Sequence, residues 1–246
     1  MTFDPYSHYQ GLEGNQIDPA VVFFDDFITG GYAQDAALAN ESDPGGKFSP
    51  VADRGEWLVT LIDGGGDAGE VIAIRDNVAG GVLRLTANDA DNDGISIQLN
   101  GSAFKVADGS RMLFAIRVAV VDISETDWFV GLAAPDTAIL SGVTESIGFR
   151  CPDSTGDIDY VVENASTETT GDTGSDLADA TFVELAFEVI GNSRVKFFVD
   201  GVFKAAVSTN IPDTDDLSPV IEVRNDGAVA QSIDVDWIYV RQENRA

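Results

Sequence analysis

The stretch RVKFFVDGVFKAAVS, residues 194–208, decides the fold class. Val195, Phe197 and Val199 recur at every second position up to Asp200-Gly201, the period of a half-buried strand. Asp-Gly supplies positive φ at both central positions of a type I′ turn, whose twist suits a two-residue hairpin. A turn so short pins the register of the strands it joins. Working outward, Gly191-Asn192-Ser193 ties this hairpin to the run TFVELAFEVIG (181–191), and Asn100-Gly101 repeats the two-residue signature between ISIQL and SAFKV. Further alternating runs are VVFFDDF (21–27), EWLVTLI (56–62), VIAIR (71–75), VLRLTA (82–87), RMLFAIRVAVVDI (111–123) and DWFVGLA (127–133). SIGFR (146–150), DIDYVVE (157–163), PVIEVRN (219–225) and SIDVDWIYVRQ (232–242) complete the set.

So many short strands imply an all-β chain, an antiparallel β-sandwich. In the long run 111–123, Met112, Phe114, Ile116, Val118 and Val120 share one face, expected to be core. Arg111, Leu113, Ala115, Arg117 and Ala119 form the mixed face. The only helical expectation is a turn at 35–39, and the Gly/Asp-rich segments 63–70 and 164–180 read as loops. Residues 1–19 carry no strand pattern and read as an extended arm before a sandwich spanning 20–246.

The 246 residues hold 14 Lys+Arg against 42 Asp+Glu, a formal net charge of −28. Nucleic acid is excluded as a partner, because its affinity comes from Lys and Arg releasing counterions. Anionic membrane surfaces are excluded for the same reason. One Cys (Cys151) rules out an internal disulfide framework and a Cys-based zinc site, and one His (His8) leaves no Ser-His-Asp triad in the sandwich. The opening MTFDPYSHYQGLEG has neither a basic nor an apolar leader segment, so no secretory signal is expected. The charge is uneven: no base precedes Lys47, and none lies between Cys151 and Ser193, where ten acids run from Asp153 to Glu188. Such stretches read as solvated faces, the alternative being a shared acidic surface for a cation or a basic partner.

The opening VVFFDDF, the segment RVKFFVDGVFKAAVSTNIPDTDDLSPVIEV and the closing SIDVDWIYVRQ together resemble the concanavalin A-like lectin/glucanase fold, a jelly roll. Within that superfamily, GGVLRLTANDADNDGISIQLNGSAFKVADGSRMLFAIRV (80–118) and DWFVGLAAPDT (127–137) resemble tailed-bacteriophage virion proteins. The resemblance implies a non-enzymatic virion structural protein, assembled in the host cytoplasm, that decorates or stabilises a capsid. Its partners would be capsid or other virion proteins and further copies of itself, a trimer among the options. The alternative is a glycan-binding, lectin-like module, and behind it a polysaccharide hydrolase or lyase.

Three sets of residues are candidate sites. Asp89, Asp91, Asp93 and Gly94 match the first half of the D-x-D-x-D-G pattern that wraps Ca²⁺ with hard oxygen ligands, but position 12 is Asn100 and a strand follows. The competing reading is a solvated acidic turn. No other cofactor is expected. Asp157, Asp159 and Glu163 fall on one face of a strand, and paired carboxylates are what glycosidases need. The superfamily's glucanases carry E-x-D-x-E or E-x-D-x-x-E there; this chain has Asp157 where the first Glu belongs, and Glu163 comes too late. The competing reading is a polar strand face. In the arm, Tyr6, His8 and Tyr9 are candidate partner-binding residues. Trp57, Trp128 and Trp237 sit within apolar strands and read as core, leaving Tyr32 and Tyr160 as exposed aromatic candidates. Cys151 reads as a structural thiol at a strand end.

Overall fold

In the computed structural model, Met112, Phe114, Ile116, Val118 and Val120 are all buried in one core, as their alternation requires. The structure describes residues 20–27, 36–37, 46–48, 57–62, 69–75, 80–152 and 154–243. In chain order the elements are β1 (Val21–Asp25), β2 (Ala36–Ala37), β3 (Gly46–Phe48), β4 (Trp57–Ile62), β5 (Val71–Ile74) and β6 (Leu83–Thr86). Next come β7 (Gly94–Leu99), β8 (Arg111–Val120), β9 (Thr126–Ala133), α1 (Ile139–Gly142), β10 (Ser146–Cys151), β11 (Asp157–Asn164) and β12 (Thr167–Asp176). The chain closes with β13 (Val183–Ile190), β14 (Arg194–Val199), β15 (Val202–Val207), β16 (Ser218–Asn225) and β17 (Ser232–Glu243).

Among the described residues the strands form two antiparallel sheets. The nine-stranded sheet runs β15-β14-β13-β8-β17-β6-β5-β2, with β1 also on β17. There β6 takes Ser232–Val235 of β17 and β1 takes Ile238–Gln242, so two short strands share one long one. The eight-stranded sheet runs β12-β11-β10-β9-β16-β7-β4-β3. The all-β jelly-roll sandwich is as expected.

The sheets meet through alternate side chains. Phe149 of the eight-stranded sheet meets Phe197 of the nine-stranded sheet edge-on at 5.3 Å. Beside them Phe187 stacks at 4.7 Å on Phe114, its neighbour within the nine-stranded sheet, and Trp57 and Trp128 are fully enclosed. Each such side chain contributes about 1.5–3 kcal/mol by leaving water. The Asp200-Gly201 hairpin is as its sequence requires: φ is +48° and +71°, and Val199 pairs Val202.

Several expectations are corrected. Asn100-Gly101 does not fold back into a hairpin: β7 is flanked by β4 and β16, and the following Phe104 makes only an isolated bridge to Leu217. Residues 36–37, expected as helix, pair with β5. Segment 164–180 contains a full strand, β12, whose TETTGDTGSD has no apolar alternation because it is an edge strand exposed along most of its length. Trp237 is not core. A register shift between Val235 and Trp237 in β17 puts Ile238 inward and turns Trp237 to the outer face opposite Arg117, the re-aiming that a β-bulge produces. The arm 1–19 lies outside the described residues.

Candidate functional site

The outer face of the eight-stranded sheet is built from the residues that alternate with its core set. Across β9–β11 it carries Phe129, Gly131 and Ala133, then Ser146, Gly148 and Arg150, then Asp159, Val161 and Glu163. The small residues leave a shallow floor. A strap of chain, residues 134–145 between β9 and β10, lies across it. Ala134 N donates to Glu145 O at 2.9 Å and closes the strap's base, as in a compact surface loop. Ile139 and Val143 of the strap pack on Phe129, Ala133, Val161 and Val220.

Glu222 of β16 holds the strap in place. Its side chain is fully buried, although it stands on the outer face of the sheet. One carboxylate oxygen accepts the Ile139 amide at 2.7 Å, and the other accepts the Arg224 Nε–H at 2.7 Å. The Leu140 amide adds a longer contact at 3.4 Å, and Arg224 reaches Ser141 of the strap. Burial pushes the Glu222 carboxyl above its ordinary range, opposed by the Arg224 guanidinium and the two amides. Gln98 braces the strap's start by donating to the Ala133 and Ala134 carbonyls.

Beside the strap the face stays partly open. Arg150 reaches across β11 to β12 and grips Glu168 in a fork, Nη1 at 2.9 Å from one oxygen and Nη2 at 3.0 Å from the other. Glu163 is the direct cross-strand partner of both Ser146 and Glu168. Burial first, then the neighbouring Glu168, raises the Glu163 carboxyl above its ordinary value, against the pull of Arg150. Two carboxylates thus stand side by side, one held by a guanidinium and one pushed toward its protonated form. Directly opposed residues have Cβ atoms ~4.5–5.5 Å apart. Such a pair can accept and donate hydrogen bonds to vicinal hydroxyls.

The sequence-based candidates fare differently. Asp157, Asp159 and Glu163 share the outer face of β11, because Ile158 and Val162 between them point into the core. They are not gathered into one site: Asp157 is exposed at the strand start, opposite an irregularity in β12. Glu163 belongs instead with Glu168 and Arg150, and Glu168 lies on the strand that the polar sequence concealed. Tyr160 faces the core, stacked on Phe197 at 5.1 Å, rather than solvent. Asp89 and Asp91 are exposed on a turn that Asn92 completes at φ +68°, while Asp93 is buried. Asn225 ties that loop by donating to Asn88 O and Asp93 O. Among the described residues, no group of three or more His, Cys, Asp or Glu side chains is gathered to hold a metal. Cys151 is buried at the end of β10, 3.7 Å from the Thr155 hydroxyl. Tyr6, His8, Tyr9 and Tyr32 lie outside the described residues. Glu222 was missed because PVIEVRN reads as a two-sided apolar strand with one polar break.

No family model and no curated protein matches the chain. Solved structures do. A protein of unknown function from Shewanella oneidensis MR-1 is 13% identical with a TM-score of 0.59, covering 100% of this chain and 98% of that one. An endo-1,3-β-glucanase from Streptomyces sioyaensis is 13% identical with a TM-score of 0.58, covering 94% and 99%. The carbohydrate recognition domain of Emp46p, in its potassium-bound form, is 10% identical with a TM-score of 0.51, covering 75% and 88%. The chain therefore has the concanavalin A-like fold of glucanases and carbohydrate-recognition domains. The expectation of a chain without enzymatic activity is corrected: an endo-1,3-β-glucanase shares this fold over nearly the whole chain. Nothing in these likenesses shows a virion protein.

Proposed function

We propose that the chain recognises a polysaccharide on the outer face of its eight-stranded sheet, beside the strap. The observation that carries this reading is the Arg150–Glu168–Glu163 cluster: polar groups held in fixed geometry, with the Glu168 side chain 42% exposed. A guanidinium and two carboxylates present planar, bidentate hydrogen-bonding partners to vicinal hydroxyls. The endo-1,3-β-glucanase and the Emp46p domain, with their shared architecture, support a glycan as the ligand class. The test is calorimetric titration with β-1,3- and mixed-linkage glucan oligosaccharides, with reducing-end release followed in parallel. Binding is expected, weakened ~10-fold or more by Arg150→Ala, the scale of one charge-assisted hydrogen bond. Failure to bind any of the panel overturns the reading. Release of reducing ends, lost in Glu163→Gln, extends the role of the same carboxylates from recognition to hydrolysis.

A second reading places the chain on a virion, docked on a capsid or neighbouring virion protein. It is supported by the likeness of residues 80–118 and 127–137 to tailed-phage virion proteins. Stoichiometric recovery of the chain with purified particles supports it, and its absence from them removes it.

A further inference from the structure

The outer face of the nine-stranded sheet, on the other side of the sandwich, has the layout of a contact surface. An apolar row crosses it through directly opposed positions: Phe24, Tyr239, Ala115, Ala186, Phe198 and Phe203. Tyr239, Ala115 and Ala186 are themselves buried, so the row opens to solvent at its Phe198–Phe203 end. Phe198 and Phe203 meet edge-on at 5.8 Å, and Phe203 is 55% exposed. Beside them Val202, at the hairpin tip, is 58% exposed.

Charged rows flank this apolar row, and most of their acids are neutralised locally. Arg111 and Lys196 both bind Glu188, at 2.7 Å and 3.0 Å. Arg241 pairs with Glu243 at 3.0 Å. On the other flank Arg117 pairs with Asp236 and lies 4.4 Å from the centre of the Phe182 ring, beside the outward Trp237. Farther along, Arg75 and Arg84 enclose Asp234, at 2.8 Å and 2.7 Å. An apolar centre with a mixed-sign polar rim, rich in aromatic residues and Arg, is the anatomy of a protein interface.

The charge distribution selects the occupant. The chain carries −28 in total, so two copies repel through most of their surfaces. On this face Arg and Lys offset the acids, so like-charged molecules can approach here with least cost. A twofold axis near the β14–β15 hairpin would set its exposed Phe203 and Val202 on those of a second copy and let mixed-sign rims meet opposite charges. Contact is by the face rather than by strand addition. Among the described residues β15 ends the sheet, yet it carries Lys204 and pairs across an irregularity at Phe197/Phe198, two features that discourage edge-to-edge pairing. We propose that two copies of this chain associate through the outer face of the nine-stranded sheet, with Phe198 and Phe203 at the centre of the contact. The proposal is independent of the glycan reading, which uses the opposite sheet.

Sedimentation equilibrium of the full chain from about 1 to 200 μM, at low and at 500 mM NaCl, tests it; at the higher salt the Debye length falls to roughly 4 Å. The expected result is a dimer that tightens with salt, because screening removes repulsion between acidic copies while the apolar contact remains. Phe203→Glu is expected to raise the dimer dissociation constant ~30-fold or more, the scale of a central aromatic anchor. Its thermal midpoint should be unchanged, since the side chain is largely exposed. A chain that stays monomeric at the highest concentration and salt overturns the proposal. A dimer left unchanged by Phe203→Glu and by Val202→Glu/Phe203→Glu overturns it equally, because association would then use another face.

Discussion

Replacing Glu222 with Ala should be among the most damaging single changes to this chain. The side chain is fully buried, and that of Arg224 is only 11% exposed. Removing the carboxylate leaves the Arg224 guanidinium without its close partner and takes the acceptor from the Ile139 amide. Breaking one side of a buried ion pair costs about 3–5 kcal/mol, and the abandoned amide adds ~1 kcal/mol or more. Glu222→Gln keeps the shape and one acceptor but not the charge, so a smaller loss of ~1–3 kcal/mol is expected. The double change Glu222→Met/Arg224→Met removes both charges and should be milder than Glu222→Ala. Urea denaturation of the set gives the stabilities. Hydrogen exchange at Ile139 and Leu140 shows whether the strap is what loosens. A Glu222→Ala protein within ~1 kcal/mol of wild type, with those two amides as protected as before, would refute the assigned role of Glu222.

Two further perturbations follow from the same coordinates. A Cβ on Gly131 would stand 2.3 Å from the Ile147 carbonyl oxygen and 2.6 Å from Gly148 Cα, both backbone atoms of the adjoining strand. Gly131→Ala should therefore destabilise by ~1–3 kcal/mol, whereas Gly142→Ala, with nothing within 4 Å, should be neutral or stabilising by ~0.4–1 kcal/mol; denaturant midpoints separate the two. For pH, burial and the neighbouring Asp200 raise the Glu184 carboxyl above its ordinary 4.5, so the native state holds more protons than the unfolded chain above that value. That contribution is fully present below pH 4.5 and is lost as pH rises through the raised native value. Glu184→Gln should flatten the decline of stability in that window, and an unchanged or steeper decline contradicts the assignment. Glu188 works the other way: despite its burial, Lys196 and Arg111 hold it below 4.5, so its contribution is lost as pH falls through the lowered value.

The sandwich was legible because its core strands must alternate. Phe114, Phe187 and Phe197 each lie at the centre of a period-two run, and Asp200-Gly201 can do little but turn. What escaped had physical reasons. β12 buries little, so it leaves no apolar period; only its pairing with β11 makes it a strand. Trp237 looked like core because a bulge, which shifts alternation by one residue, leaves no mark in a sequence of isolated strands. The candidate site was half legible. Glu163 stood out as a strand carboxylate, but its partners come from β10 and β12, and only the register of three strands brings Arg150, Glu163 and Glu168 together. Glu222 appeared as one polar residue in an apolar run, and its role is set by a strap about 80 residues earlier in the chain, bonded at Ile139.

The uneven charge takes on a spatial sense as well. The base-free stretch from Cys151 to Ser193 includes β12, whose exposed polar edge is where a solvated acidic surface was expected. The outer face of the nine-stranded sheet, by contrast, gathers bases that balance its acids.

The most direct test of the account is where a glucan oligosaccharide touches the chain. Amide chemical-shift mapping during a titration reads this residue by residue. Recognition beside the strap predicts shifts concentrated on β10, β11 and β12 around Arg150, Glu163 and Glu168, with the outer face of the nine-stranded sheet unmoved. Shifts confined to the nine-stranded sheet, or none at saturating oligosaccharide, would contradict it.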